Sequence, residues 1–225
     1  MIFSIWIAGF AFITQAAEIT PDLAPKLDLT QLRAWITGQK NIHTLSAEFT
    51  QTRSLRILRS PLVIKGRFYF QAPSSFRWEL GDPPKTIIAG TSKELIILEP
   101  AKKKVIKKSP LSSGGLISSE EMGIPLPGKM SFEKFQEQMQ VLNFKTSGSF
   151  CHLEMLPRDA RAIQALACIK LDFNSSTGHL LRLEIVTKEG STLVNEFSNV
   201  QINLKLEKGC FDIDFTGLEV IDEKN

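Results

Sequence analysis

Residues Leu62 to Leu80 read LVIKGRFYFQAPSSFRWEL. Leu62, Ile64, Gly66, Phe68 and Phe70 fall on one parity; Val63, Lys65, Arg67, Tyr69 and Gln71 fall on the other. Period-two alternation with the large apolar groups on one side is the pattern of a strand with one face turned inward. Gln71 to Ser75, with Pro73 among them, supply a turn. Phe76, Trp78 and Leu80 then alternate with Arg77 and Glu79, which makes the stretch an antiparallel hairpin with an aromatic inner face.

The same grammar continues on both sides. Gly81-Asp82-Pro83-Pro84 make the next turn, and Thr86 to Ala89, Glu94 to Leu98 and Lys104 to Lys107 read as further strands. After the middle of the chain the alternation resumes. Cys151, Leu153 and Met155 are followed by Ala167, Ile169, Leu171 and Phe173, then by Leu181, Leu183 and Ile185. Strands are also expected over Thr192 to Phe197 and Gln201 to Leu206, with Phe211, Ile213 and Phe215 closing the series. Short strands at this spacing give an antiparallel meander rather than alternating strand–helix units. The fold class expected is α+β, mostly antiparallel β.

Two helices are expected. Leu29, Leu32, Trp35 and Ile36 recur at helical spacing behind an Asp28/Gln31 capping signature, and Gly38 offers a stop. Ser131 caps a second helix carrying Phe132, Phe135, Met139 and Leu142 on one side. Ser109 to Lys129, rich in Ser, Gly and Pro, separates it from the first block of strands as a loop. A long antiparallel sheet with one apolar face curls and covers that face with what is available, here two helices and a loop. A tight fit makes an ordinary core and a loose one makes an apolar cavity. The pattern alone leaves both open.

Composition narrows the function. A 225-residue chain fits one domain with one substantial core. The formal net charge of +3 is too small for a nucleic-acid partner. Fifteen Phe against one Tyr favour an apolar interior or an apolar ligand, since Phe carries no polar handle. Ile2 to Ile13 form an apolar run too short to span a bilayer, followed by Thr14-Gln15-Ala16-Ala17. This is the pattern of an export signal lacking its basic start, so residues 1–17 are expected to be removed, leaving one domain over residues 18–225. Cys151 takes an apolar parity while Cys168 and Cys210 share theirs with charged residues, which makes Cys168–Cys210 the better pair if any disulfide forms.

No catalytic motif is complete. Gly123 to Met130 has the skeleton of a phosphate loop, but Met130 replaces the magnesium-binding hydroxyl and two prolines remove N–H donors. No nucleophile elbow, zinc-protease helix or C-x-x-C pair occurs in the sequence. His152 and His179 fall on polar strand phases, as simply solvated residues would. Glu120-Glu121 and Asp212/Asp214 read as surface charge. Lys102-Lys103-Lys104 with Lys107-Lys108 suit anionic headgroups or, more simply, a strand end that blocks edge pairing. No enzyme, cofactor or metal site is expected.

A family resemblance enters on particular residues. Leu45-Ser46-Ala47-Glu48-Phe49-Thr50-Gln51 resembles a first-strand F-x-Q signature. Gly66, Phe68, Phe70, Ala72-Pro73, Phe76-Arg77-Trp78 and Pro84 resemble a hallmark hairpin, and Phe211 to Phe215 with Gly217 to Asp222 resemble a last strand and tail. In this order and spacing, residues 28–222 resemble the periplasmic outer-membrane lipoprotein carrier family, LolA. The resemblance implies a curved half-barrel closed by helices over an apolar cavity. It implies acyl chains of lipoproteins, or another lipid, as cargo, received from an inner-membrane transporter and passed to an outer-membrane receptor. The lipid-binding residues expected are Leu62, Ile64, Phe68, Phe70, Phe76, Trp78, Phe132, Phe135, Met139, Leu153 and Met155, in a monomer. One position departs: the family's hairpin carries a latch arginine before the proline, where this chain has Ala72. Arg77 lies on the opposite parity to Phe76 and Trp78.

Overall fold

The structure is a computed structural model that describes residues 27–91, 94–108, 127–128 and 130–223. The expected signal segment, Glu120-Glu121 and most of the Gly123 to Met130 run lie outside them. Among the described residues no helix is long and apolar enough to cross a membrane.

Helix α1 (Thr30–Gly38) leads through a short 3-10 turn into β1 (Thr44–Ser54). Then come β2 (Leu62–Gln71), β3 (Ser75–Leu80), β4 (Thr86–Gly90), β5 (Leu95–Glu99) and β6 (Lys104–Lys108). Helix α2 (Phe132–Gln138) precedes β7 (Met139–Ser147) and β8 (Phe150–Pro157), and α3 (Ala160–Ala165) precedes β9 (Leu166–Asn174). The chain ends with β10 (Leu180–Thr187), β11 (Thr192–Ile202) and β12 (Glu219–Glu223). All twelve strands form one open sheet in the order β12-β6-β5-β4-β3-β2-β1-β11-β10-β9-β8-β7. Every pairing is antiparallel except β12 on β6. The chain thus builds one wing outward from β1, builds the other from its far edge at β7 inward to β11 beside β1, and ends with β12 on the edge of the first wing.

The sheet curls because its apolar parity must close on the helices. Phe49 of β1 stacks on Trp78 of β3, ring centroids 3.9 Å apart, and directly opposite Phe49 stands Gly66. A Cβ at Gly66 would overlap the Phe49 ring and the Glu79 carbonyl, so only glycine lets the ring lie flat across β2. The buried cluster on this face runs from Phe76 and Trp78, through Phe173 and Leu183, to Leu153 and Met155, with Leu32, Trp35 and Ile36 of α1 inside it.

The opposite, convex face differs between the two wings. On β8, β9 and β10 it carries a cross-strand ladder of charges. His152 Nδ1 lies 2.5 Å from Asp172 and its Nε2 3.2 Å from Glu154. Arg182 pairs with Glu184 at 2.7 Å, and Lys170 with Glu184 at 3.4 Å. His152 is therefore on the polar face, as its parity indicates, but held between two carboxylates rather than simply solvated. On β4 to β6 the convex face is apolar instead: Ile87, Ile96, Leu98 and Val105 form a second core, covered by Ile213, Phe215 and Leu218.

That covering segment corrects one expectation. Phe211, Ile213 and Phe215 alternate like a strand, yet they belong to an irregular strap held by turn bonds such as Asp212 N–H to the Gly209 carbonyl (2.9 Å). The following segment, β12, takes the sheet edge. The lysines of β6 consequently do not guard a free edge; Lys107 lies over the Phe215 ring at 4.7 Å. Asp212 and Asp214 are exposed, but on the strap and not on a strand. Two further boundaries shift, and one expected bond is absent. Met139 and Leu142 start β7 instead of ending the second helix, because pairing with β8 (Met139 opposite Pro157) outweighs helical spacing. The strands expected over Thr192 to Phe197 and Gln201 to Leu206 are a single β11 that ends at Ile202. The three cysteines are free, with Cys168 on β9 and Cys210 on the strap over the other wing, so no Cys168–Cys210 bridge forms.

Candidate functional site

The site is the seam between α1, α2 and the concave face. Leu32, Trp35 and Ile36 are buried, the apolar stripe expected of α1. Its start is not the expected reciprocal box. Asp28 accepts from the Thr30 N–H (3.0 Å) and hydroxyl (2.6 Å) just before the helix, and these bonds hold its carboxyl below the usual carboxylate range. Gln31 reaches the sheet instead. Its Oε1 accepts from Cys151 Sγ and Ser175 Oγ, both at 3.1 Å, and its Nε2 donates to the Gly148 carbonyl at 3.4 Å. Burial pushes the Cys151 thiol above its ordinary range, against the lowering effect of Ser175.

Further along α1, Trp35 stacks on Phe173 with centroids 4.3 Å apart. Its indole N–H and the Gln39 amide both donate to the Gly178 carbonyl, at 3.1 and 3.2 Å. On the outer side Arg33 pairs with Glu133 of α2 at 2.9 Å and lies 4.1 Å over the Phe132 ring. Helix α2 is capped as expected, Ser131 accepting from the Lys134 N–H at 3.2 Å.

Beneath α1 the packing leaves two hollows, one on either side of Trp35, with Gln39 and Pro127 bordering both. The first, about 70 Å³, is lined by Phe135, Met139, Leu153, Met155 and Leu171. The second, about 50 Å³, is lined by Leu45, Ala47, Phe68, Leu180 and Phe197. At roughly 10–15 Å³ per water molecule, each has room for a handful of waters. Neither holds a fatty chain with α1 in this position.

Nine of the eleven residues expected to bind lipid come together in the buried cluster: Phe68, Phe70, Phe76, Trp78, Phe132, Phe135, Met139, Leu153 and Met155. Of these, Phe68, Phe135, Met139, Leu153 and Met155 border the hollows. Phe70, Phe76 and Trp78 are packed solid deeper in. Leu62 and Ile64 fall outside the cluster, at the end of β2 that runs past β3; Leu62 is 55% exposed. Sequence reasoning did not assign Trp35, Leu171 or Phe197 to the site. The helical stripe containing Trp35 was the available signal.

The concave face also holds a buried polar pair. Gln51 of β1 donates to Asn195 Oδ1 of β11 at 3.0 Å. The Nδ2 amide of Asn195 and the indole N–H of Trp78 are buried without an acceptor among the described residues. The residue before Pro73 contributes no latch: Ala72 donates its backbone N–H to His43 at 2.8 Å. Arg77 points to the convex face, where its Nε meets Glu79 at 2.7 Å and its guanidinium donates to the Asp212 carbonyl at 3.1 Å. It fastens the C-terminal strap and not the helices. The helices are fastened from α1, through Gln31, Arg33, Trp35 and Gln39.

A single, almost wholly antiparallel sheet curled around an apolar seam, with short helices across its mouth, defines a half-barrel α+β protein with an apolar internal site. The family model described as outer membrane lipoprotein carrier protein LolA matches residues 40–214, and the chain belongs to that family. A search of curated proteins finds no match. Among solved structures, an uncharacterized conserved protein from Thermus thermophilus shares the fold at TM-score 0.53 and 11% identity, over 86% of this chain and 97% of that one. A LolA superfamily protein from Nitrosomonas europaea aligns at TM-score 0.40 and 10% identity, over 81% and 97%. MucB with MucA from Pseudomonas aeruginosa aligns at TM-score 0.47 and 10% identity, over 82% and 60%.

Proposed function

We propose that the chain is a periplasmic carrier that shelters acyl chains between its sheet and α1, moving lipoproteins from the inner to the outer membrane. Residues 1–17 serve as its export signal. It receives cargo from an inner-membrane transporter, delivers it to an outer-membrane receptor, and does no chemistry on it. The observation that carries this reading is the position of Trp35, wedged between two apolar hollows at the seam. A residue so placed divides one potential channel into two, and its displacement with α1 would join them. Burying each CH₂ of a chain there gains about 0.8 kcal/mol, enough over one chain to offset loss of the α1 contacts.

Cargo is read by native mass spectrometry of protein released gently from the periplasm, alongside titration with a fluorescent fatty-acid probe. Expected are a co-purifying acylated species and saturable probe binding that quenches tryptophan emission. An apoprotein that takes up no probe overturns the carrier reading and leaves a filled scaffold. A lipid other than a lipoprotein in the spectrum keeps the carrier and changes its cargo, which Ala72 in place of the family's latch arginine makes a fair test.

A further inference from the structure

The β1–β2 hairpin ends in a tip that the carrier site does not use. The thirteen residues from Arg53 to Lys65, RSLRILRSPLVIK, contain four cations and no carboxylate. The chain folds on itself there, the Leu58 N–H donating to the Leu55 carbonyl at 2.9 Å. It leaves Ile57 88%, Leu58 41%, Leu62 55% and Val63 63% exposed. The reason is the register. Strand β3 ends opposite Gly66 and the Gly81 N–H caps the Lys65 carbonyl at 2.7 Å, so Leu62 to Ile64 run beyond it with no strand beside them on that side. Among the described residues Arg53, Arg56 and Arg59 form no ion pair.

The same rim collects other cations. Thr86 lies opposite Leu80, Ile87 opposite Leu98, and Lys104 opposite Glu99, so the turns holding Lys85 and Lys102–Lys103 fall at the end of the sheet that carries the tip. Against them stand Asp82, Glu219 opposite Lys104, and Glu99, the last already paired with Lys102 at 2.8 Å. On the other side the β10–β11 turn adds Lys188 and Glu189. Four large aliphatic side chains in water, interleaved with arginines on a basic rim, are an unusual surface for a chain with so extensive a core. Such a surface matches a bilayer interface: the aliphatics enter the acyl boundary while the guanidinium groups meet anionic phosphates.

We infer that the β1–β2 tip is a docking element for an anionic lipid surface, holding the protein against a membrane with the hairpin inserted at headgroup depth. This does not depend on what the seam under α1 carries. The test uses the full mature chain and flotation with phosphatidylglycerol-containing vesicles, against phosphatidylcholine vesicles. Expected is salt-sensitive binding to the anionic vesicles. Arg56→Gln with Arg59→Gln should weaken it roughly 25-fold at low salt, at about fivefold per charge. Ile57→Ser with Leu58→Ser should weaken it at every salt concentration. Both pairs are exposed, so thermal melting and fatty-acid probe uptake should match the parent. Absence of binding, equal binding to both vesicle types, or variants that bind like the parent would overturn the inference. An acidic protein partner would give the first of these results.

Discussion

Trp35 of α1 and Phe173 of β9 lie face to face at 4.3 Å, tilted by 25°, and the same indole reaches past the ring to hydrogen-bond the Gly178 carbonyl. One side chain therefore packs α1 onto the sheet, fixes its height above the β9–β10 turn, and separates the two hollows. Apart from it and the buried Leu32 and Ile36, α1 is tied down by polar contacts at its margins, of which Arg33–Glu133 is exposed on both sides. Exposed pairs of that kind contribute about 0–1 kcal/mol. Most of the stability of the closed seam rests on Trp35 and its apolar neighbours.

Replacing Trp35 by alanine should accordingly cost about 3–5 kcal/mol in urea unfolding, the range for a large buried aromatic. The same change should join the two hollows, so fatty-acid probe affinity should rise in protein that remains folded. Trp35→Phe keeps a ring against Phe173 and loses only the bond to Gly178. It should cost about 1 kcal/mol, the usual net value of one hydrogen bond. Equal losses for both variants would mean that the stack carries little.

The buried Gln51–Asn195 pair makes a different kind of prediction. Asn195→Ala removes the acceptor of the Gln51 amide among the described residues, and a buried donor left alone costs about 1–3 kcal/mol. Changing both residues to leucine removes both polar groups and should cost clearly less than the two single leucine variants added together. A double-mutant cycle by chemical denaturation reads the coupling directly. A coupling energy of zero would show that the amides do not depend on one another.

What was legible in the sequence was what local pattern controls. The hairpin is visible because Leu62 to Gln71 and Phe76 to Leu80 alternate without interruption; β2 spans the first run, and β3 starts one residue earlier than the second, at Ser75. Helix α1 is visible because Leu32, Trp35 and Ile36 repeat at helical spacing. The start of β7 is not, since Met139 and Leu142 fit a helical stripe behind Phe132 and Phe135 as well as they fit a strand. Only pairing with β8 decides, and that partner is brought in by the tertiary fold. The strap is hidden for a related reason: Ile213 and Phe215 alternate because they cover Ile87, Ile96, Leu98 and Val105, not because they pair in the sheet. The hollows were beyond pattern altogether. An apolar parity shows which residues turn inward and not how closely they pack, so Phe76 and Trp78 read the same as Phe68 although only Phe68 borders a hollow.

The strap depends on Arg77. Glu79 is buried on the convex face and receives Arg77 at 2.7 Å and Arg67 at 3.1 Å, while Arg77 also donates to the Asp212 carbonyl. Arg77→Ala leaves Glu79 with one cation and the strap without its bond. Loss of one partner from a buried pair costs about 3–5 kcal/mol, and the remaining Arg67 should hold the effect below that range. Hydrogen exchange should quicken from Asn203 to Leu218 before it does in β1 or β11. Exchange that quickens equally everywhere would mean that the strap and the sheet open as one unit.

His152 gives the fold a pH dependence whose sign can be worked out. Desolvation alone lowers its pKa, but the hydrogen bonds and charges of Asp172 and Glu154 together outweigh it, and the net shift is upward from 6.5. Lys145 stands opposite it on β7 and Arg182 lies 4.0 Å from Asp172, and with these cations on the same face the net shift is still upward. A group whose pKa is higher in the folded state stabilises the fold while protonated. Its contribution is complete below about pH 6.5, the unfolded value, and is lost as pH rises through the folded one. The parent should therefore exceed His152→Gln in stability most clearly in mildly acidic solution, and the gap should narrow as the solution turns alkaline. Paired urea melts across that interval measure it. A gap that widened with rising pH would mean that His152 acts through its neutral form, with Asp172 and Glu154 held by their other partners.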